Sequence, residues 1–335
     1  MANKTETVKQ ILNSTMSELT QNDRNWLSFL QTAANNYKYG FTDQVLIYAQ
    51  KPTATACAGV EFWNNRMNRW INKGANGIAL LEMSDSGLRL RYVFDVSDTN
   101  SRNGMLVPRW QVVPQIEAEL IEALEQNFGF LREKNDLRQA LLYVGDNLIA
   151  QGLPDFREVF ANLTDYGNIN PLSDEELDTV FRLAVQQSVQ YMLLYRCGID
   201  APELIFQNPL HPIEFFTSAQ TINILGSTVS DLAETGLREI EKAVRALQKE
   251  TKQQNRTFAN QRQISYDEAG NQPNQNIETE RSTDNGNDVH TTRRFFDPER
   301  DLSDERATDP RQIRQDAADV PARALQAEVQ PYACD

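Results

Sequence analysis

Val8, Ile11, Leu12 and Met16 recur at three- and four-residue intervals, a spacing that predicts an amphipathic helix over residues 5–19. Thr20 or Asn22 then fits as the cap of a second helix carrying Trp26, Leu27, Leu30 and Ala34 on one face. The stretch YKYGF breaks that pattern, and Gly40 suits a helix C-cap or turn. Thr42 is placed to cap a third helix, TDQVLIYAQ, which Lys51-Pro52 ends. GVEFWNNRMNRWI, residues 59–71, reads as a fourth helix with a looser match, through Phe62, Met67 and Trp70. After NKGANG the period changes to two. IALLEM and LRLRYVFDV read as strands joined by SDSG, the second with Leu88, Leu90, Tyr92 and Phe94 on one face and Arg89, Arg91 and Val93 on the other. SDTNSRNG is a loop by composition.

From residue 113 to 250 the spacing is helical almost throughout. The segments are QIEAELIEALEQNF, DLRQALLYVGDNLIAQ, PDFREVFANL, SDEELDTVFRLAVQQSVQYMLLYRCG and TINILGSTVSDLAETGLREIEKAVRALQKE. Ser173 with Glu176 has the form of a capping box, Gly198 is a fitting stop, and Gly226 is a candidate break. Beyond 250 the chain is rich in Gln, Asn, Asp, Arg and Thr and poor in apolar side chains. It cannot bury enough surface to offset an ordering entropy of about 1–2 kcal/mol per residue. Disorder is expected there, with a transient helix near 321–329. No internal repeat is evident. The expected fold class is α+β: a small helical domain with a short antiparallel sheet (1–112), an all-helical acidic domain (113–250) and a disordered C-terminal tail (251–335).

Charge changes this picture by its distribution. The whole chain is at -14, which argues against general nucleic-acid binding. Yet residues 1–110 hold 12 Lys+Arg against 9 Asp+Glu, while residues 111–250 hold 10 against 22. A site for a polyanion therefore belongs in the first third. Three widely spaced cysteines, Cys57, Cys197 and Cys334, with no CxxC, speak against a disulfide framework or a cysteine zinc site and fit a cytoplasmic location. No signal peptide or apolar run long enough to span a membrane is present.

Catalytic chemistry finds little to work with. His211 and His290 are the only histidines, and HExxH, Walker A and GxGxxG are all absent. His211 lies in a proline-flanked loop, NPLHPIEFF, and the acids of DEELD fall where a helix dipole favours them. No enzyme, metal site or cofactor is expected.

What remains is the region around NRWINKGANGIALLE. Gly74 and Gly77 permit a tight turn into the strand. Around it lie Lys51, Arg66, Arg69, Lys73, Arg89 and Arg91, interleaved with Tyr37, Tyr39, Phe41, Tyr48, Trp63 and Trp70. Tyr48 and Trp63 fall on helices and are expected in the core. Cations that track a backbone, rings on which bases stack and glycines that expose N–H groups suit single-stranded nucleic acid. The expected DNA-binding set is Tyr39, Lys51, Arg66, Arg69, Trp70, Lys73, Gly74, Gly77, Arg89 and Arg91.

Residues 5–110 also carry an ordered series of motifs: Asp43-Gln44-Val45-Leu46, Gln50-Lys51-Pro52, Trp63, Lys73-Gly74-Ala75-Asn76-Gly77-Ile78 and Val93-Phe94-Asp95. In this series the chain resembles the N-terminal domain of ArdC-type antirestriction proteins, and more closely the start of very large proteins of conjugative elements that continue into helicase and methyltransferase modules. The resemblance implies single-stranded DNA binding in DNA transfer or antirestriction. Asn72 and Asn76 stand where the family turn is usually basic, and Asp43 where Asn is usual, so fewer phosphate contacts are implied. Two other expectations stay open. One is an acidic, DNA-mimicking inhibitor of a host nuclease, acting through the 113–250 region as a protein-interaction surface. The other is an inactive N-terminal fragment of a larger helicase or methyltransferase.

Overall fold

Apolar spacing in the first fifty residues is realised as three helices, α1 (Lys4–Leu19), α2 (Asp23–Asn35) and α3 (Phe41–Gln50), in the computed structural model. The structure describes residues 4–85, 87–101, 107 and 109–270, with side chains as far as residue 253. Asn22 caps α2 by accepting from the Asn25 N–H. α3 begins at Phe41, not after a Thr42 cap: Gly40 occupies the cap position and no side chain bonds there.

The expected helix over 59–71 forms only as a short π-helical turn, Phe62–Arg66. The Met67 N–H closes it onto the Phe62 carbonyl, and Asn68 then enters the left-handed region at φ 49°. That conformation ends a helix, and asparagine tolerates it better than most residues. Five strands follow or flank this turn: β1 (Cys57–Ala58), β2 (Arg69–Ile71), β3 (Ile78–Ser84), β4 (Gly87–Asp95) and β5 (Thr99–Ser101). They make a three-stranded sheet in the order β1-β4-β3 and a two-stranded ribbon of β2 with β5, antiparallel throughout. β5 forms within the expected loop SDTNSRNG, because its backbone finds a partner in β2.

The α+β class holds, with helices α4 (Glu117–Phe128), α5 (Leu137–Gly152), α6 (Phe156–Phe160), α7 (Asp174–Arg196), α8 (Glu203–Phe206) and α9 (Ala219–Gly270) after the strands. Ser173 and Glu176 make the reciprocal capping box of α7, and Gly198 follows that helix at φ +93°. α9 runs on through the expected start of the tail at 251. No proline interrupts it, and its Glu, Lys, Gln, Arg and Ala are good helix formers despite their polarity. Residues 271–335, with the expected transient helix, His290 and Cys334, lie outside the described residues.

Residues 1–271 form one compact unit, so the expected boundary at 112/113 does not separate two cores. α1 packs mainly on α3 and β3, while α2 and α3 bury apolar side chains against the later helices. α2 packs on α7, and α3 on α9. One cluster of buried side chains runs from Met16 and Trp26 through Phe41, Leu120, Leu141 and Phe181 to Val244. A smaller cluster (Val8, Leu46, Ile47, Ala54, Ile78, Ala79, Leu80 and Val93) lies between α1, α3 and the sheet.

Polar groups fasten the same contact. Lys38 Nζ lies 2.8 Å from Glu241 on α9, Tyr37 donates its hydroxyl hydrogen to Glu241, and Trp110 Nε1 lies 3.3 Å from the Tyr37 oxygen. The Arg196 guanidinium stacks 3.6 Å from the Trp110 ring, and burial pushes its pKa down to about 10.

Gly226 does not break α9. A Cβ there would lie 2.2 Å from the Phe41 ring, so the glycine is the notch that lets α3 and α9 touch. Gly226→Ala gains up to about 1 kcal/mol of helix preference. Overpacking of the buried ring costs about 1–3 kcal/mol. The expected net result is a lower urea midpoint for the variant, measured by circular dichroism.

Candidate nucleic-acid interface

The pleat of the β3–β4 hairpin sorts its side chains onto two faces. Ile78 pairs with Val93, Leu80 with Arg91 and Glu82 with Arg89; the intervening pairs are Ala79 with Tyr92, Leu81 with Leu90 and Met83 with Leu88. The first set turns towards α1 and α3, where Ile78, Leu80 and Val93 join the smaller core. The second therefore points the other way. On it Tyr92 is 41% and Met83 76% exposed, Leu81, Leu88, Leu90 and Phe94 are partly buried, and Ala79 is buried, with Leu81 and Leu90 packed at the edge of the smaller core. The expected alternation is present: the arginine row of β4 lies on the helix side, and of the apolar row only Tyr92 is exposed. Sheet burial at β4 is decided by where α3 docks. Asp43 on α3 attracts Arg91 at 3.2 Å, and Gln50 hydrogen-bonds both the N–H and the carbonyl of Ala79 along the β3 edge at 2.9 Å.

The expected binding residues fall into two groups. Arg89, Arg91 and Tyr39 sit on the helix side of the hairpin and are held internally. Arg89 pairs with Glu82 at 2.6 Å, and Arg91 lies between Asp43 and, at 3.8 Å, Glu82. The Arg91 guanidinium is also 5.9 Å from the Tyr39 ring, whose hydroxyl donates to the Cys57 carbonyl at 2.8 Å. Burial raises the Asp43 carboxyl above the ordinary carboxylate range, with Arg91 opposing that rise.

The second group gathers around the 95–101 segment. Lys51 Nζ bonds Asp98 Oδ2 at 2.7 Å and Ser97 Oγ at 2.8 Å. Arg69 and Trp70 lie on β2, Arg69 donating to the Thr99 hydroxyl and carbonyl, while Arg66 is exposed on the π-helical turn just before it. Asn72 donates its backbone N–H to the Asp98 carbonyl at 2.8 Å. The Asn72 side-chain amide donates weakly to the Ser97 carbonyl at 3.5 Å. Asp95, buried, accepts from the N–H groups of Thr55, Ala56 and Ser97 and from the Ser97 hydroxyl. Burial works against its charge, but these hydrogen bonds prevail and hold its pKa below the usual range.

From this anchored base the turn Lys73-Gly74-Ala75-Asn76 projects. Lys73 is exposed, and Gly74 adopts φ +86°, a conformation glycine takes without steric cost. Gly77 then lies against the open sheet face. A Cβ at this position would sit 3.0 Å from the Phe94 ring and 3.1 Å from the Tyr92 ring. The chain thus leaves the turn and enters β3 beside these two rings. Tyr92 and Phe94 were absent from the expected set, although their strict alternation with Arg91 and Val93 was legible. What alternation lacks is which face stays open.

A second cluster forms around His211, whose acidic partners the sequence does not signal. Asp23, His211 and Glu214 place one ligand-type atom each within 4.8 Å of one another, the one such group among the described residues. His211 Nδ1 lies 2.6 Å from Asp23 Oδ2, and this hydrogen bond raises the imidazole pKa. Asp23 and His211 stand 188 positions apart, so no local motif signals them. Neither described thiol suits nucleophilic chemistry. Burial pushes the Cys57 pKa up and that of Cys197 up to about 12.

No described helix is long and apolar enough to cross a membrane. Comparison with protein-family models, with curated proteins and with solved structures returns no match.

Proposed function

We propose that this chain is a single-stranded DNA-binding module of a mobile element, acting in the cytoplasm during DNA transfer or antirestriction. The observation that supports the reading is the close approach of Gly77, four residues after the exposed Lys73, to the Phe94 ring and to the 41% exposed Tyr92 ring. Bases stack on the exposed Tyr92 ring, Lys73 meets the phosphates, and the glycine backbone of the turn allows close approach. The motif order shared with ArdC-type N-terminal domains supports the same reading. Lys51 and Arg91 contribute less than their charge suggests, because Asp98 and Asp43 already neutralise them. Few phosphates are then contacted, and salt dependence is shallow, about -0.7 in log K per log salt for each phosphate neutralised.

Fluorescence anisotropy of a labelled single-stranded oligonucleotide with the full chain, at low and moderate salt, tests this. Binding at low salt is expected. Tyr92→Ala is expected to weaken it by the stacking increment of about 1–3 kcal/mol, and Lys73→Glu to weaken it and flatten the salt slope. Absence of binding at low salt, or wild-type affinity retained in both variants, overturns the proposal.

A further inference from the structure

We propose that Asp23, His211 and Glu214 form a binding site for a divalent first-row transition-metal ion, with Zn2+ as its representative. The three side chains offer an imidazole nitrogen and two carboxylates within 4.8 Å. This mixed N/O set suits Zn2+ and its neighbours, whereas Mg2+ and Ca2+ prefer oxygen donors alone. The pointer to a ligand is independent of that proximity. Asp23 is only 6% exposed, and its Oδ1 accepts no hydrogen bond among the described residues. A buried carboxylate oxygen without a partner is costly, and a cation supplies what is missing.

The surrounding fold holds the groups in place without using their ligand atoms. Asp23 opens α2. The Thr20 hydroxyl donates to the Phe216 carbonyl at 2.8 Å, fixing the 212–216 turn against the α1–α2 corner. The Glu214 N–H bonds the His211 carbonyl at 3.1 Å, setting the i, i+3 pair on one turn. Asp23 Oδ2 and His211 Nδ1 stand 2.6 Å apart as a hydrogen-bonded pair. Two donors on a tetrahedral ion with bonds of about 2.0–2.1 Å stand roughly 3.3 Å apart. Binding therefore opens this pair by less than 1 Å, and the exposed His211 is the side that moves. The ion takes the place of the hydrogen between the two atoms, and the neutral imidazole then carries its hydrogen on Nε2. Three protein ligands leave a fourth position for water, and the bound ion ties α2 to the 211–216 turn.

The test uses the full chain, with Zn2+ measured by competition against a chromophoric chelator and Co2+ by its visible absorption. One ion per chain at this site, a rise in melting temperature with Zn2+ and none with equal Mg2+ are expected. Glu214→Ala and His211→Ala alter exposed side chains, and each is expected to weaken Zn2+ binding more than tenfold while leaving the far-ultraviolet circular dichroism unchanged. Failure of the wild-type chain to bind Zn2+, or wild-type Zn2+ affinity retained in both variants, overturns the site. The second outcome would place the ion elsewhere in the chain.

Discussion

Trp26→Ala is expected to destabilise the folded chain by about 3–5 kcal/mol. Trp26 is fully buried, 5.2 Å centroid to centroid from Phe29, and its Nε1 donates to Ser188 on α7 at 2.8 Å. Losing the ring leaves a cavity between α2 and α7. The hydrogen bond is the smaller part, since Ser188 keeps a second bond, to the Ala184 carbonyl at 2.6 Å. Trp26→Phe is therefore expected to cost less than Trp26→Ala. Urea unfolding of the full chain, followed by circular dichroism and by tryptophan fluorescence, separates these values. Because Trp26 belongs to the core shared by α1–α3 and α4–α9, the whole transition is expected to move as one. Two separated transitions, of which only one shifts, would contradict a shared core.

Glu241→Ala is the second large effect, about 3 kcal/mol, the lower end of the range for breaking a buried ion pair. Glu241 is 7% exposed, with Lys38 at 2.8 Å and Arg245 at 2.7 Å, and Tyr37 donating to it. Removing the carboxylate strands Lys38, whose pKa burial already lowers. Lys38 and Arg245 keep partial contact with solvent, which places the cost at the lower end. The pH dependence has a definite sign. Burial opposes the Glu241 charge, but Lys38, Tyr37 and Arg245 outweigh it, so the folded pKa lies below the ordinary glutamate value. The contribution is then complete above the unfolded value of about 4.3 and disappears as pH falls through the lower folded value. The stability gap between wild type and Glu241→Gln is expected to be widest above about pH 5 and to close in more acidic solution. A gap constant from neutral to acid pH would show that the charge is not what the site uses.

The helices were legible because their cues are local. Val8 to Met16, the Ser173 capping box and the Gly198 stop each act within a turn or two of the chain. The β3–β4 hairpin was legible for the same reason, through its period of two and the SDSG turn. The expected helix over 59–71 failed where apolar spacing was loose. An asparagine in the left-handed region and pairing with β5 decided that segment instead. Gly226 and the start of the tail misled for a related reason. A glycine or a run of polar residues reads as a break until its neighbour is known, and the neighbour of Gly226 is Phe41, 185 positions earlier.

Of the candidate surface, the sequence by itself determined the basic turn at Lys73-Gly74 and the two-faced character of β4. Those are properties of residues close together in the chain. Only the tertiary structure decided that Asp43 on α3 meets Arg91, that Asp98 meets Lys51 and that Tyr92 stays exposed. It alone also decided that Asp23 meets His211. Burial and charge pairing are sums over neighbours from distant parts of the chain, and no local pattern carries the information of which neighbours arrive.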